Sequence, residues 1–311
     1  NGNYVIASDY LQANGSDIKL LIIDGEGNKV DSVVHGTISD DFVKTVTVLP
    51  DGGLIANGTT NHTPEDPSRV SKFYYPRFNA QLQLLSANDW KGDDAQGEQN
   101  VGNKIMPIDT AFVFFGHNIA ETQNLNKRKR LAYFDVTNDG RKGSGIVYLG
   151  DNNEDIETSF VMRAPPALLN AFFIVGTSNK GTLSSSVRIT ALRSPLVFDV
   201  KNLTDKLFDK NILARRAEGV SAAASVASSP QGFLVLSNET RVTGDTDVLL
   251  SKVDLSGREI WSINFGSGKD DAGAAIVELP DGRILMLCTV ESDLQKKIAL
   301  LKMNATGQLL D

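Results

Sequence analysis

Residues 40–59 read DDFVKTVTVLPDGGLIANGT and residues 270–289 read DDAGAAIVELPDGRILMLCT. An acidic pair, a short apolar run, Pro-Asp-Gly and a second apolar run recur at the same spacing near each end of the chain. Proline presets the first central turn position and glycine accepts the positive φ that follows, so each copy reads as a hairpin between two strands. A phrase repeated in this way means an array of small sheets and not one unique fold.

Working outward, residues 220–265 show the fullest module. A small-residue strand (Val220 to Ser228) is followed by Phe233–Leu236, by the alternating run Asp247–Asp254 and, after a Ser256-Gly257 turn, by Glu259–Phe265. The second strand type recurs at Tyr4–Ala7, Leu54–Asn57, Ala111–Phe115, Ala171–Val175 and Ile284–Leu287. The third recurs at Ile18–Asp24, Lys72–Phe78, Arg130–Asp135, Val187–Leu192 and Lys297–Met303. The expected fold is all-β: a single domain over residues 1–311, built as a six-bladed β-propeller of four-stranded antiparallel sheets, with seven blades as the alternative count. Modules start near residues 1, 42, 102, 157, 220 and 272. Leu54, Ala56, Val113, Phe173, Leu234, Leu236, Ile284 and Leu287 are expected in the layers between sheets. Helical spacing of Leu203, Leu207, Phe208, Ile212 and Leu213 predicts one or two turns of helix within 201–216. The opening Asn1-Gly2-Asn3-Tyr4 matches a turn and second strand, so the array is expected to lack one inner strand, to be filled by residues upstream of Asn1.

Composition narrows the function. A net charge of -7 argues against a nucleic-acid partner, which would demand clustered cations to displace counterions. The basic run Lys127–Arg130 reads as a solvated loop guarding a strand edge. Cys288, within Ile284-Leu285-Met286-Leu287-Cys288, reads as a small buried hydrophobe. No apolar run reaches membrane-spanning length. The start at Asn1 without methionine leads to the expectation of a removed export signal or a lipid anchor upstream, and so of a periplasmic or cell-surface location.

Asp247-Val248-Leu249-Leu250-Ser251-Lys252-Val253-Asp254-Leu255-Ser256-Gly257-Arg258-Glu259-Ile260-Trp261, followed by the Asp270-Asp271…Pro-Asp-Gly phrase, resembles a repeat common in exported bacterial proteins and lipoproteins. Modules one, two, five and six share it. Those repeats are similar to blades of quinoprotein alcohol dehydrogenase-like β-propellers. The resemblance implies a propeller fold. It does not extend to quinoprotein chemistry, since the chain has one cysteine and shorter blades; the implied relatives are the non-enzymatic ones.

Several side chains are candidates for a site. Acids precede the first strand of successive modules: Asp41, Asp94, Asp155, Glu218 and Asp271. From equivalent loops they could form a ring attracting a cation or a basic group; the competing reading is that each caps backbone N–H groups of its own turn. Tyr74, Tyr75 and Trp90, with Phe73, are read as exposed aromatics able to stack on a sugar or anchor a protein, against burial between sheets. His117 follows Phe114-Phe115-Gly116 at a strand end and could face a pocket. Asp135, Thr137 and Asp139 alternate like half a calcium loop, but the closing acid is replaced by Ile146, and hairpin chemistry explains Asn138-Asp139-Gly140 equally well. No transition metal and no cofactor beyond this Ca²⁺ position is expected. The functional expectation is an exported recognition or scaffold module binding a protein or glycan partner without catalysis; the alternative is a propeller enzyme acting on an extracellular glycan.

Overall fold

The computed structural model describes residues 2–13, 15–61, 71–90, 99–108, 111–121, 127–137, 147–149, 155–163, 171–179, 185–193, 206–212, 220–229, 232–292 and 295–310. Among these, every regular element is a strand, and the strands form six antiparallel sheets in which neighbours in sequence are neighbours in space. The chain divides into two compact units, Asn1–Asn152 and Asn153–Asp311.

The first unit holds three sheets. Sheet 1 is β1 (Tyr4–Gln12), β2 (Gly15–Ile23) and β3 (Lys29–His35). Sheet 2 is β4 (Asp41–Val48), β5 (Leu54–Thr60), β6 (Lys72–Phe78) and β7 (Leu84–Trp90). Sheet 3 is β8 (Gln99–Ile108), β9 (Ala111–Glu121), β10 (Lys127–Thr137) and β11 (Val147–Leu149). Sheet 1 packs on sheet 2 through Ile18 and Leu20 against Leu54, Ala56, Tyr74 and Phe78. The opposite face of sheet 2, with Ile55, Phe73 and Tyr75, meets Phe112, Phe114 and Phe134 of sheet 3.

The second unit repeats the plan. Sheet 4 is β12 (Ile156–Arg163), β13 (Ala171–Ser178), β14 (Ser186–Arg193) and β15 (Lys206–Ile212); sheet 5 is β16 (Val220–Ser229), β17 (Gly232–Thr240), β18 (Thr246–Val253) and β19 (Glu259–Phe265); sheet 6 is β20 (Ala272–Glu278), β21 (Ile284–Ser292) and β22 (Gln295–Met303). Phe173, Val175 and Ile189 pack on Phe233, Val235 and Leu249. Leu234, Leu236, Val248 and Leu250 pack on Ile284, Met286, Cys288 and Met303. Alternation explains both contacts of sheet 5, because successive side chains of β17 point to opposite faces.

A further regularity was not evident in the sequence. The first strand of sheets 2 to 6 changes register once against its partner, at Val43/Thr45, Gly102/Lys104, Thr158/Phe160, Ala222/Val226 and Gly273/Ala275. Such irregularities bend a strand and increase its local twist.

Four expectations need correction. Sheet 6 is three-stranded, not four-stranded, its outermost strand reduced to a single bridge, Met303 to Leu309, whereas the three strands of sheet 1 are those expected of a module without its inner strand. The helix expected within 201–216 is strand β15, because β14 presents a full edge to be paired and the Arg188–Asp209 ion pair, at 2.7 Å, ties the two strands together. Lys127–Arg130 lies in β10, paired with Asn118–Glu121 of β9, and not in a loop, while β11 pairs with Leu131–Tyr133. Leu287, expected in a packing layer, is 37% exposed.

Candidate functional site

The acidic pairs organise the connection that leaves one sheet and enters the next. In Gly266-Ser267-Gly268-Lys269-Asp270-Asp271, the Asp271 carboxylate accepts from Ser267 N (2.5 Å), Ser267 Oγ (3.0 Å) and Glu291 N (2.9 Å). In the matching Gly36-Thr37-Ile38-Ser39-Asp40-Asp41, Asp41 Oδ2 accepts from Thr37 N. The preceding acids reach back to the sheet just left: Asp40 Oδ1 accepts from Ser16 N on β2 at 2.9 Å and Asp270 Oδ1 from Thr246 N on β18 at 3.1 Å. Gly36 and Gly266 are required by crowding, since a β-carbon there would collide with the carboxylates of Asp17 and Asp247. Side chains also tie sheet 1 to sheet 2 and sheet 5 to sheet 6, with Asp9 Oδ1 accepting from Val43 N (2.8 Å) and Asn238 Oδ1 from Gly273 N (2.9 Å).

Asp40, Asp41, Asp270 and Asp271 thus each accept from a nearby backbone N–H group, the kind of contact named in the second of the two readings drawn from the sequence. Asp155 is placed differently from what its position suggested. Its carbonyl accepts from Asn179 N as that of Asp40 does from Asn61 N, so it matches Asp40 and not Asp41. Asp94 and Glu218 lie outside the described residues. Among the described residues, no three His, Cys, Asp or Glu side chains converge in a metal-binding arrangement.

The most unusual polar grouping lies between sheets 1 and 2. His35, at the end of β3, makes a 2.7 Å hydrogen bond between Nε2 and the Tyr74 hydroxyl, and stacks on that ring with centroids 6.2 Å apart; Phe78 meets the imidazole edge-on at 5.7 Å. Burial lowers the His35 pKa, while the charges of Asp41 and Asp17 act in the opposite sense. Burial, and then Asp41, Asp89 and Asp17, raise the Tyr74 phenol far above its ordinary value. Asp41 Oδ1 is buried and has no hydrogen-bond partner among the described residues. The imidazole and the phenol thus share a hydrogen bond near enough to Asp41 for its charge to act on both. Sequence reasoning placed Asp41 and Tyr74 in separate groups and missed His35; the available signal was a histidine opposite Ile18 on the packed face of a three-stranded sheet.

The aromatics expected at the surface are buried. Tyr75 lies 5.1 Å from Phe114 and 5.7 Å from Phe134, and Trp90 meets Phe134 edge-on at 4.6 Å. Burial and then Asp89 push the Tyr75 phenol up to about 12. His117 is buried in β9, with Nδ1 3.3 Å from Asn103 Nδ2. Alongside it Asn118 donates to Asn100 Oδ1 (3.0 Å) and accepts from Arg130 Nε (2.9 Å). Asp135 is buried within β10 opposite Val113, and Asp139 lies outside the described residues. Cys288 is buried between sheets 5 and 6, and its thiol pKa is raised, first by burial and then by Asp271.

No protein-family model matches the chain, and no curated protein matches it. Solved structures do. The GH93 α-L-arabinofuranosidase of Fusarium graminearum in complex with arabinobiose is 10% identical over 97% of this chain and 90% of its own, with a TM-score of 0.59. A glucose dehydrogenase is 11% identical over 97% of this chain and 98% of its own, at 0.52. Both are β-propellers, and at such identity the likeness is one of fold alone. The class defined by the sheets and by these likenesses is the β-propeller. No helix among the described residues is long and apolar enough to cross a membrane.

Proposed function

We propose that this chain is a non-catalytic recognition or scaffold module of the propeller class, its six sheets acting as six blades, and that it binds a protein partner through an exposed sheet face. One observation carries this reading. β21 and β22 are apolar on both faces, and within the second unit only one face is covered: Ile284, Met286, Cys288 and Met303 are buried against sheet 5, while Ile298 and Leu300 point to the other side and are exposed. Contiguous exposed apolar patches on a soluble protein mark interaction sites. A seventh blade, the alternative count, would be another way to cover it. Export to the periplasm or cell surface belongs to this reading and rests on the repeat's resemblance to exported proteins.

The reading is tested with 1-anilinonaphthalene-8-sulfonate, whose fluorescence rises on apolar surfaces, and with a panel of nitrophenyl glycosides. The expected result is dye binding that disappears in Leu300→Glu, with no glycoside turnover. Turnover of a glycoside, unchanged in Leu300→Glu, would overturn it in favour of a glycan-directed enzyme.

A further inference from the structure

The repeated phrase joins sheet 1 to sheet 2 and sheet 5 to sheet 6, and the two joints correspond residue by residue. His35 stands opposite Ile18 as Phe265 stands opposite Val248, and each is followed by the glycine that the carboxylate of Asp17 or Asp247 crowds. Asp41 and Asp271 close the two connections. Asp271 Oδ1 accepts from Ser267 Oγ (3.0 Å) and Glu291 N (2.9 Å). Asp41 Oδ1 has neither donor. Asn61 N, in the place of Glu291 N, donates to the Asp40 carbonyl at 2.9 Å, and Thr37 Oγ1, in the place of Ser267 Oγ, accepts from Ser39 N at 3.2 Å. Asp41 is fully buried, where an oxygen left without a donor is costly.

This joint differs from the other in holding a histidine and a phenol. Tyr74 is buried, and His35 is exposed enough for a solvent proton to reach its ring. An imidazole nitrogen without a hydrogen can only accept, and a doubly protonated ring can only donate. While Nε2 carries no hydrogen, the single phenol hydrogen is committed to it across the 2.7 Å contact. Once Nε2 carries one, it donates to the phenol oxygen, and the phenol hydrogen needs another acceptor.

The charged groups around the pair leave one choice. Asp9 on β1 is turned to Val43 N, Asp17 on β2 accepts from Gln12, and Asp40 is turned to Ser16 N. Lys19 on β2 lies over the Tyr10 ring, and Asp89 on β7, which acts on Tyr74, is ion-paired with Lys72 at 3.2 Å. Asp41 acts on both His35 and Tyr74, and its Oδ1 is buried with no donor among the described residues.

We infer that the joint between sheets 1 and 2 is a proton-operated latch, in which protonation of His35 turns the Tyr74 hydroxyl from the imidazole to Asp41 Oδ1. The added proton comes from solvent and stays on the imidazole; the phenol keeps its own. One neutral hydrogen bond is exchanged for two charge-assisted ones, each roughly twice as strong. Burial of the ring opposes the exchange and sets it on the acid side of the ordinary histidine range.

The test is an NMR titration of the His35 ring in the full chain and in variants. Tyr74→Phe should lower the midpoint, because the charged ring loses the chain of hydrogen bonds that favours it. In the Asp41→Asn background the same change should no longer lower it: Thr37 N holds the amide oxygen, and the amide nitrogen that replaces Oδ1 cannot accept. A midpoint that rises or stays in Tyr74→Phe would overturn the latch, and so would a lowering that persists undiminished in the Asp41→Asn background. A second measurement needs no variant to fold. On the unsubstituted chain the Asp41 carboxyl carbon should shift at the His35 midpoint while that of Asp271, whose joint has Phe265 in the histidine's place, does not; an Asp41 carbon that stays still through that midpoint removes the latch.

Discussion

Asp271 and Asp41 occupy the same position in two copies of one phrase, yet their surroundings assign them different weights. Asp271 accepts hydrogen bonds from Ser267 N, Ser267 Oγ and Glu291 N, so Asp271→Asn turns an acceptor toward donors. A loss of about 1–3 kcal/mol in urea denaturation is expected, the usual cost of leaving such groups unsatisfied. Asp41→Asn should be milder, because Asp41 Oδ1 has no hydrogen-bond partner among the described residues and an amide nitrogen can take its place. The same substitution removes the larger of the charges that hold the His35 pKa up, so the imidazole should titrate at lower pH still, as read by NMR. His35 is already depressed below 6.5 by burial, so its contribution to stability is present above that value and is lost as pH falls below it. The His35–Tyr74 contact joins residues 39 positions apart. Nothing in the local sequence of either residue announces the other, which is why the acids were legible as a repeated set and this pair was not.

At the scale of elements, the second and third strands of every module could be read from alternation and turn chemistry, and each expected segment falls on a strand, with Asp24 and Asp254 one residue beyond the ends of theirs. β15 could not. Its apolar residues fall at helical offsets, and what makes it a strand is the unpaired edge of β14 together with Asp209, which accepts from Arg188 Nε and Nη2 (both 2.7 Å), Thr190 Oγ1 (3.0 Å) and Lys206 Nζ (2.8 Å). Burial by itself would raise the Asp209 pKa, but the hydrogen bonds and charges of Arg188 and Lys206 outweigh it and hold the carboxyl at about 2. A depressed carboxylate stabilises the fold above its ordinary value of 3.8, and that stabilisation is lost as pH falls through about 2. Asp209→Asn should therefore flatten the acid limb of the stability curve between those values and lower stability at neutral pH by about 2 kcal/mol. A limb as steep in the variant as in the parent protein would show that Asp209 is not its source.

At the scale of the molecule, the open faces yield a comparison between equivalent residues. Leu250 and Leu300 hold the same place in the repeat, the first fully buried and the second 65% exposed. Leu250→Ala should cost about 2–5 kcal/mol, the range for emptying a packed core site. Leu300→Ala, measured at low concentration, should change stability by no more than about 0.5 kcal/mol. Equal losses for both substitutions at low concentration would show that the face of sheet 6 is covered within one molecule.

The sequence by itself determined the strands, their turns and the two-sided apolar character of each sheet, because alternation with a period of two and the Pro-Asp-Gly turn are local properties. It also determined that the acids recur, since Asp41 and Asp271 belong to a repeated phrase. Only the tertiary structure decided what each repeat position does. Leu236 is fully buried and Leu287 is not, although their neighbours in sequence and across the ladder correspond, because burial depends on which sheet lies against a face. Packing between sheets is a contact between segments distant in sequence, and no local pattern specifies whether the partner of a given face is present.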